Sequence, residues 1–137
     1  MQISFSKDQG NDIVTIMHLM GDVDSSTYIH VINKAQEAFD NGSRNLLIDL
    51  SKVSYVSSAG LMSLHTIVKI FAGNSVQPKD GGRPSFRAID KTQDEPVRAH
   101  VKLLNPQPAV EQVLEMVGLK LFFDIHTDLA TAVHSFH

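Results

Sequence analysis

Two adjacent serines, Ser57 and Ser58, are the residues of this sequence whose type and spacing best suit chemistry. They come after a stretch at residues 49–56 in which polar residues are interspersed with apolar ones, and before Leu61 and Leu64, which begin an apolar pattern at helical spacing. Unpaired amides and the helix dipole make a helix N-terminus partly positive, so a phosphate would be accommodated there. A phosphoserine adds about −1.5 to −2 charges, which can expel a docked protein. The spacing therefore indicates a phosphorylation switch or, more simply, a helix cap.

A pair of strands and a first helix precede this segment. Alternating apolar residues at 3–5 and the apolar run 13–20 predict a hairpin with its turn at residues 9–12. Ser25 or Ser26 is expected to cap the helix that follows, because serine hydroxyls accept the free amides of a first turn.

Strands and helices then alternate to the end of the sequence. Residues 44–49 predict a buried parallel strand, and residues 49–60 a loop that leads into the helix after Ser58. Glycine, proline and mixed charges predict a long insertion loop at about 73–98. The remaining predicted elements are a strand at 100–104, a helix at 109–117 ended by Gly118, a strand at 121–125, and a helix that Thr127 or Asp128 caps and that buries Leu129. This order predicts a single α/β domain over residues 1–137, with a mixed β-sheet and crossover helices packed on it.

Composition narrows the class of protein. The chain has 137 residues, of which 42% are hydrophobic, enough for one core. A net charge of −3 gives no electrostatic reason to expect nucleic-acid binding. The absence of cysteine, of a run long enough to span a bilayer and of a signal-peptide pattern predicts a cytoplasmic protein without a membrane role.

Three segments resemble the signature stretches of the STAS domain family, whose single-domain members include the anti-sigma factor antagonists. They are residues 21–24 (GDVD), 47–61 (LIDLSKVSYVSSAGL) and 102–106 (KLLNP). The resemblance implies a monomeric, non-enzymatic regulator of transcription that needs no cofactor and no metal. Its unphosphorylated form would bind an anti-sigma factor that is also a serine kinase, which releases the sigma factor. Phosphorylation would end that binding, and a PP2C-like serine phosphatase would restore it.

The resemblance also assigns roles to particular residues. Ser58 matches the phosphorylated serine, and Ser57 is a rival because it stands where relatives often have aspartate. Gly60 matches the small residue that lets the helix pack tightly, while Asp24 is either an acid of the site or a helix cap. Asp49 is expected only to accept loop amides. The predicted partner-binding surface consists of Asp22, Asp24, Ser26, Tyr55, Ser57, Ser58, Ala59, Gly60 and an exposed Met62.

Three alternatives remain open. The protein could be a constitutive, non-phosphorylated STAS subunit of a larger regulatory or transport assembly. It could be a serine hydrolase with Ser58 as nucleophile and His65, His100 or His126 as base, although Val56 stands where a nucleophile elbow needs glycine. A metal site at the C-terminal histidines, His134 and His137 with His126 nearby, is the weakest, because no acid or cysteine accompanies them.

Overall fold

The structure, a computed structural model, describes residues 1–10, 12–72, 100–119 and 123–136. Its strands are β1 (Gln2–Gln9), β2 (Ile13–Met20), β3 (Leu46–Lys52), β4 (Val101–Leu104) and β5 (Ile125–His126), and its helices are α1 (Tyr28–Asp40), α2 (Ser58–Phe71), α3 (Pro108–Met116) and α4 (Leu129–His134). The predicted insertion loop at 73–98 lies outside the described residues, so it stays a prediction.

The five strands form one mixed sheet in the order β1-β2-β3-β4-β5. β1 and β2 are the antiparallel arms of the predicted hairpin, whereas β2, β3, β4 and β5 run parallel to one another. Parallel neighbours need a crossover connection, which α1 supplies between β2 and β3 and α3 between β4 and β5. The predicted α/β fold class is confirmed.

The apolar residues of β3 show how the sheet divides the core into two parts. Leu46, Ile48 and Leu50 pack in the large cluster that also contains the inward faces of α1, α2 and α3. Leu47, which lies between Leu46 and Ile48, packs instead in a smaller cluster with Ala132 and Val133 of α4. Successive side chains of a strand point to opposite faces, so the continuous apolar run of β3 indicates burial on both sides.

The smaller cluster lies under α4, a helix of only six residues. Lys102 of β4 is buried at its edge and donates from Nζ to the backbone oxygen and the hydroxyl of Ser135, each at 3.1 Å. The same Nζ lies 3.3 Å from Asp124 Oδ2 and 5.0 Å from the ring centre of Phe136. Because a buried ammonium needs paired groups, these contacts allow a lysine to help attach α4 to the sheet.

Several predicted boundaries and one predicted burial need correction. β3 extends to Lys52 and α2 already begins at Ser58, so the loop between them is shorter than residues 49–60. The predicted strand at 121–125 is only partly described: residues 123 and 124 are not in a strand, the described strand is Ile125–His126, and residues 121–122 lie outside the described part. Leu129, predicted to be buried, is 41% exposed because it lies in the first turn of α4, whereas Ala132 and Val133 face the sheet.

Among the described residues, no helix combines the length and the apolar content that crossing a membrane would require.

Candidate functional site

The two serines at the start of α2 have different roles in the backbone. Ser57 is the N-cap, with extended backbone angles (φ −85°, ψ 178°), and its Oγ accepts the amide of Gly60 at 3.2 Å. Ser58 is the first helical residue, and its side chain is exposed. The helix-cap interpretation is therefore correct for Ser57, and the hydroxyl of Ser58 is left free of the cap.

The amides at this helix end are only partly used. Gly60 donates to the hydroxyl of Ser57, and Leu61 donates to its carbonyl at 2.9 Å. Within the described residues, the amides of Ser58 and Ala59 have no acceptor. Two donors therefore remain at the positive end of the α2 dipole, beside the exposed hydroxyl.

A short β-bridge joins the loop before α2 to the loop after β2. Val23 pairs with Val56 in parallel, and the amide of Val23 donates to the carbonyl of Tyr55 at 3.0 Å. The amide of Ser57 in turn donates to the carbonyl of Val23 at 2.9 Å. The predicted GDVD segment and the serine segment, more than thirty residues apart, therefore meet at one edge of the sheet.

Gly60 allows α2 to approach this bridge closely. A Cβ at this position would collide with the backbone oxygen of Val23 and would lie 2.8 Å from a methyl carbon of Val56. Gly60 is buried, and the first buried apolar residue of α2, Leu61, follows it directly. The tight packing that the resemblance implied for Gly60 is present in the structure.

Asp22 and Tyr55 are exposed residues of the two loops that the β-bridge joins. Ser54 donates from Oγ to Asp22 Oδ1 at 3.0 Å, which is a side-chain link between the same two loops. Tyr55 is 53% exposed, and Asp22 is also exposed. Both residues therefore contribute surface that a partner protein can reach.

Asp24 organises the entry into α1. Its Oδ1 accepts the hydroxyl of Ser26 at 2.6 Å and the amide of Ser26 at 2.9 Å. These hydrogen bonds lower the pKa of Asp24 below its ordinary value, and the one from the Ser26 hydroxyl has the larger effect. The carboxylate therefore stays ionised on this surface at neutral pH.

The predicted cap of α1 is wrong. The N-cap is Thr27, not Ser25 or Ser26, and its side chain makes no capping hydrogen bond. Its Oγ1 donates instead to the backbone oxygen of Asp22 at 2.8 Å, and the carbonyl of Asp24 accepts the amides of Thr27 and Tyr28. Turn hydrogen bonds that precede the helix have replaced an ordinary serine cap.

Two further residues of the predicted surface are less accessible than expected. Met62, predicted to be exposed, is half-buried, and so is Ala59. Both lie in the first turns of α2, whose following residues Leu64, Ile67 and Val68 are buried in the large cluster. Part of each side chain is therefore used within the fold.

Asp49 lies in the middle of β3, the central strand, and its hydrogen bonds go to Ser51 and His18 rather than to Ser58. Its Oδ1 accepts the amide of Ser51 within the same strand at 3.0 Å, and its Oδ2 lies 2.8 Å from His18 Nδ1, so the prediction that Asp49 only accepts loop amides is wrong. Burial raises the pKa of Asp49, but hydrogen bonds from Ser51 and His18 act in the opposite direction and leave it below its ordinary value.

The histidines considered as bases for Ser58 do not form a nucleophile site with it. His100 precedes β4 and thus lies at the opposite edge of the sheet, where its Nδ1 is 3.0 Å from Asn45 Oδ1. His65 is seven residues further along α2, about 10 Å at 1.5 Å per residue, and is buried. Burial, with the nearby charge of Lys102, lowers the pKa of His126 on β5.

The predicted metal site at the C-terminal histidines gains no support. The described residues contain no group of three side chains that could hold a metal ion, and His137 lies outside the described residues.

Comparisons with known proteins agree with this arrangement. The model of the STAS domain family matches residues 5–77, more than half of the chain. No curated protein matches the sequence. The fold and its serine-bearing helix end define a STAS-type α/β domain, and the chain belongs to the STAS domain family.

Solved structures support the fold over nearly the full length. A candidate anti-sigma factor antagonist from Thermotoga maritima has a TM-score of 0.68 at 16% identity, covering 96% of this chain and 93% of that one. An anti-sigma factor antagonist from Mycobacterium paratuberculosis has a TM-score of 0.65 at 18% identity, covering 98% and 94%. The Bacillus cell fate determinant SpoIIAA in its phosphorylated form has a TM-score of 0.56 at 16% identity, covering 95% and 96%. At these identities the likeness concerns the fold.

Proposed function

We propose that this protein is an anti-sigma factor antagonist that acts as a phosphorylation-controlled protein-binding switch, with Ser58 as the modified residue. In this proposal the unphosphorylated form binds an anti-sigma factor/serine kinase in the cytoplasm and releases the sigma factor. Phosphorylation of Ser58 ends that binding, and a PP2C-like phosphatase reverses it. Family membership supports the general class, and a phosphorylated form is known for the Bacillus relative.

The observation that carries the proposal is the division of roles between the two serines. The hydroxyl of Ser57 accepts the Gly60 amide inside the cap, whereas that of Ser58 is exposed on the first turn. A kinase needs a hydroxyl that can leave its local hydrogen bonds and reach a phosphoryl donor. Ser58 meets that requirement without loss of the cap, so it is the better acceptor of the two.

The surroundings of Ser58 suit both states of such a switch. The amides of Ser58 and Ala59, which have no acceptor among the described residues, are donors for a phosphate, so modification need not disturb the helix. The added charge would join the ionised Asp24 and the exposed Asp22 on the same edge of the sheet. Repulsion and desolvation would then oppose a partner that had docked on the neutral serine.

The docking surface in this proposal is the edge formed by the two bridged loops and the first turn of α2. Its polar part includes Asp22, Asp24 and Ser26, and its apolar part is the exposed ring of Tyr55 with the accessible portion of Met62. Methionine adapts its shape to a partner, and tyrosine supplies a large contact area. The β-bridge through Val23 and Val56 holds the two loops in one fixed arrangement.

The proposal is tested by isolating the protein from its native cell, mapping phosphate by mass spectrometry and measuring the affinity of the kinase-like protein that co-purifies. Phosphate on Ser58 is expected, and Ser58→Asp should weaken binding at least about tenfold, which corresponds to about 1.4 kcal/mol. Ser58→Ala should bind as well as wild type but remain unmodified.

Ser57→Ala is the matched control, because it should still be phosphorylated on Ser58. Phosphate found on Ser57 alone, or equal affinity for the wild type and Ser58→Asp, would contradict the proposed switch. An unmodified protein held in a stable assembly under all growth conditions would favour a constitutive STAS subunit instead.

A further inference from the structure

A second polar cluster lies on the α4 side of the sheet, away from Ser58. Ser6 Oγ of β1 is 2.8 Å from His18 Nε2 of β2, and His18 Nδ1 is 2.8 Å from Asp49 Oδ2 of β3. The register explains this row of contacts: His18 lies opposite Asp49 in one neighbouring strand and opposite Ser4 in the other. Ser6 is then the diagonal neighbour of His18, within reach of a long side chain.

The hydrogen-bond partners of His18 indicate which ring nitrogen carries the proton in the neutral imidazole. A carboxylate only accepts hydrogen bonds, so His18 Nδ1 carries a proton and donates it to Asp49. In the neutral ring, Nε2 is then an acceptor, and the hydroxyl of Ser6 is the donor. A serine, a base that receives its proton and a carboxylate that orients the base are therefore arranged in sequence.

The cluster is open at the serine and more enclosed at the acid. Ser6 is exposed on β1, which among the described strands pairs only with β2, and the side chain of His18 is 35% exposed. The side chain of Asp49 is only 16% exposed, and its second oxygen is held by the Ser51 amide. A small molecule in solvent can therefore reach the nucleophile, while the orienting group is held in place.

We propose that Ser6 is an acyl-acceptor site for small activated esters, with His18 as its base and Asp49 as the positioning residue. Ser6 Oγ attacks the ester carbonyl carbon while its proton passes to His18 Nε2. The bond from that carbon to the leaving oxygen breaks, the alkoxide or phenolate departs with the electron pair, and His18 returns its proton to solvent. The product is an acyl ester on Ser6.

The probe that tests this site is p-nitrophenyl acetate, which reports acylation as release of p-nitrophenolate. Peptide mapping by mass spectrometry then identifies the acetylated residue. We expect a burst of product and an acetyl group on Ser6, with both lost in Ser6→Ala. In His18→Gln the acylation rate at Ser6 should fall roughly 100-fold or more, the size of a general-base contribution.

Two further variants separate chemistry from folding. Asp49→Asn should lower the rate through the orientation of His18, and thermal unfolding should show that it remains folded. Ser4→Ala, which changes the residue opposite His18, should leave labelling of Ser6 unchanged. Acetyl groups spread over surface lysines and serines at similar rates, or equal labelling of Ser6 in the wild type and a folded Asp49→Asn or His18→Gln, would overturn the proposal.

Discussion

The two faces of the sheet are built from the same strands but differ in what covers them. On one face, α1, α2 and α3 enclose a large apolar cluster, and the end of α2 carries Ser58. On the other face, the six-residue helix α4 covers a smaller apolar cluster. Polar side chains also lie on this face, namely Lys102 and the hydrogen-bonded pair His18 and Asp49. Under the proposed switch, the thick core of the first face would keep the positions of surface residues unchanged while the charge at Ser58 changes.

The largest expected effect comes from deleting one core side chain on each face. Ile48 and Leu47 are adjacent on β3 and both fully buried, but they belong to different clusters. Ile48→Ala should lower the free energy of unfolding by about 4 kcal/mol, and Leu47→Ala by about 2 to 3 kcal/mol, because the short α4 can move into the space. Urea unfolding measures both values. Equal losses would mean that α4 holds its position as firmly as the larger helices.

Gly60 is the next most sensitive position, because it sets how closely α2 approaches the site. Gly60→Ala should lower the free energy of unfolding by about 2 to 3 kcal/mol, because the added methyl group would collide with the backbone oxygen of Val23, which has little freedom to move. Gly118→Ala is the control: it has a positive φ of 81°, but no atom of the described residues lies within 4 Å of the new Cβ. Because of backbone strain, the free energy of unfolding of this control should fall by only about 1 to 2 kcal/mol. A smaller loss for Gly60→Ala than for the control would contradict tight packing at the bridge.

The features that the sequence predicted well are those with strong periodicity or local chemistry. The strand at β1, the buried run of β3 and the apolar face of α2 each fall within one short segment and are confirmed, although Phe5 of β1 is 40% exposed and the predicted half-buried alternation is therefore wrong. Gly118 ends α3 with a positive φ, and Asp128 caps α4 through the amide of Thr131, as their residue types indicated.

The features that the sequence did not predict depend on neighbours distant in the chain. Ser25 and Ser26 are good capping residues in isolation, but hydrogen bonds from the Asp22–Asp24 loop moved the start of α1 to Tyr28. The row formed by Ser6, His18 and Asp49 depends on the register of three strands, which no single segment encodes. The sequence suggests a hydrolase-like arrangement only at Ser58, whereas in the structure Ser6, His18 and Asp49 are in contact on the opposite face of the sheet.

The two serines at the start of α2 should differ in a smaller but clear way. Ser57→Ala removes the hydroxyl that accepts the Gly60 amide and should cost about 1 kcal/mol of unfolding free energy. Ser58→Ala should change stability by less than about 0.5 kcal/mol, because that side chain is exposed. Thermal or chemical unfolding of the two variants measures the difference. If Ser58→Ala were the more destabilised, Ser58 would be the structural residue and Ser57 the better candidate for modification.

The smallest expected effect concerns the helix that covers the second face. The amide and hydroxyl of Thr131 bond to Asp128 Oδ2 at 2.9 and 2.8 Å, and these bonds lower the pKa of Asp128 below its ordinary value of 3.8. Because the folded-state pKa lies below the unfolded one, the stabilisation is present above about pH 4 and is lost as the pH falls through the folded value. Asp128→Asn keeps a capping side chain but cannot ionise, so it should be slightly less stable than wild type at neutral pH.

The gap in stability between Asp128→Asn and the wild type should therefore close on acidification, as unfolding curves at several pH values would show. Asp40→Asn is a suitable control, since Asp40 is the last residue of α1 and faces the negative end of a helix dipole. Its loss of charge should be neutral or slightly stabilising at neutral pH. A gap for Asp128→Asn that stayed constant into acid would mean that the charge of Asp128 does not help to hold α4, and that the second face depends on Lys102 and the apolar cluster alone.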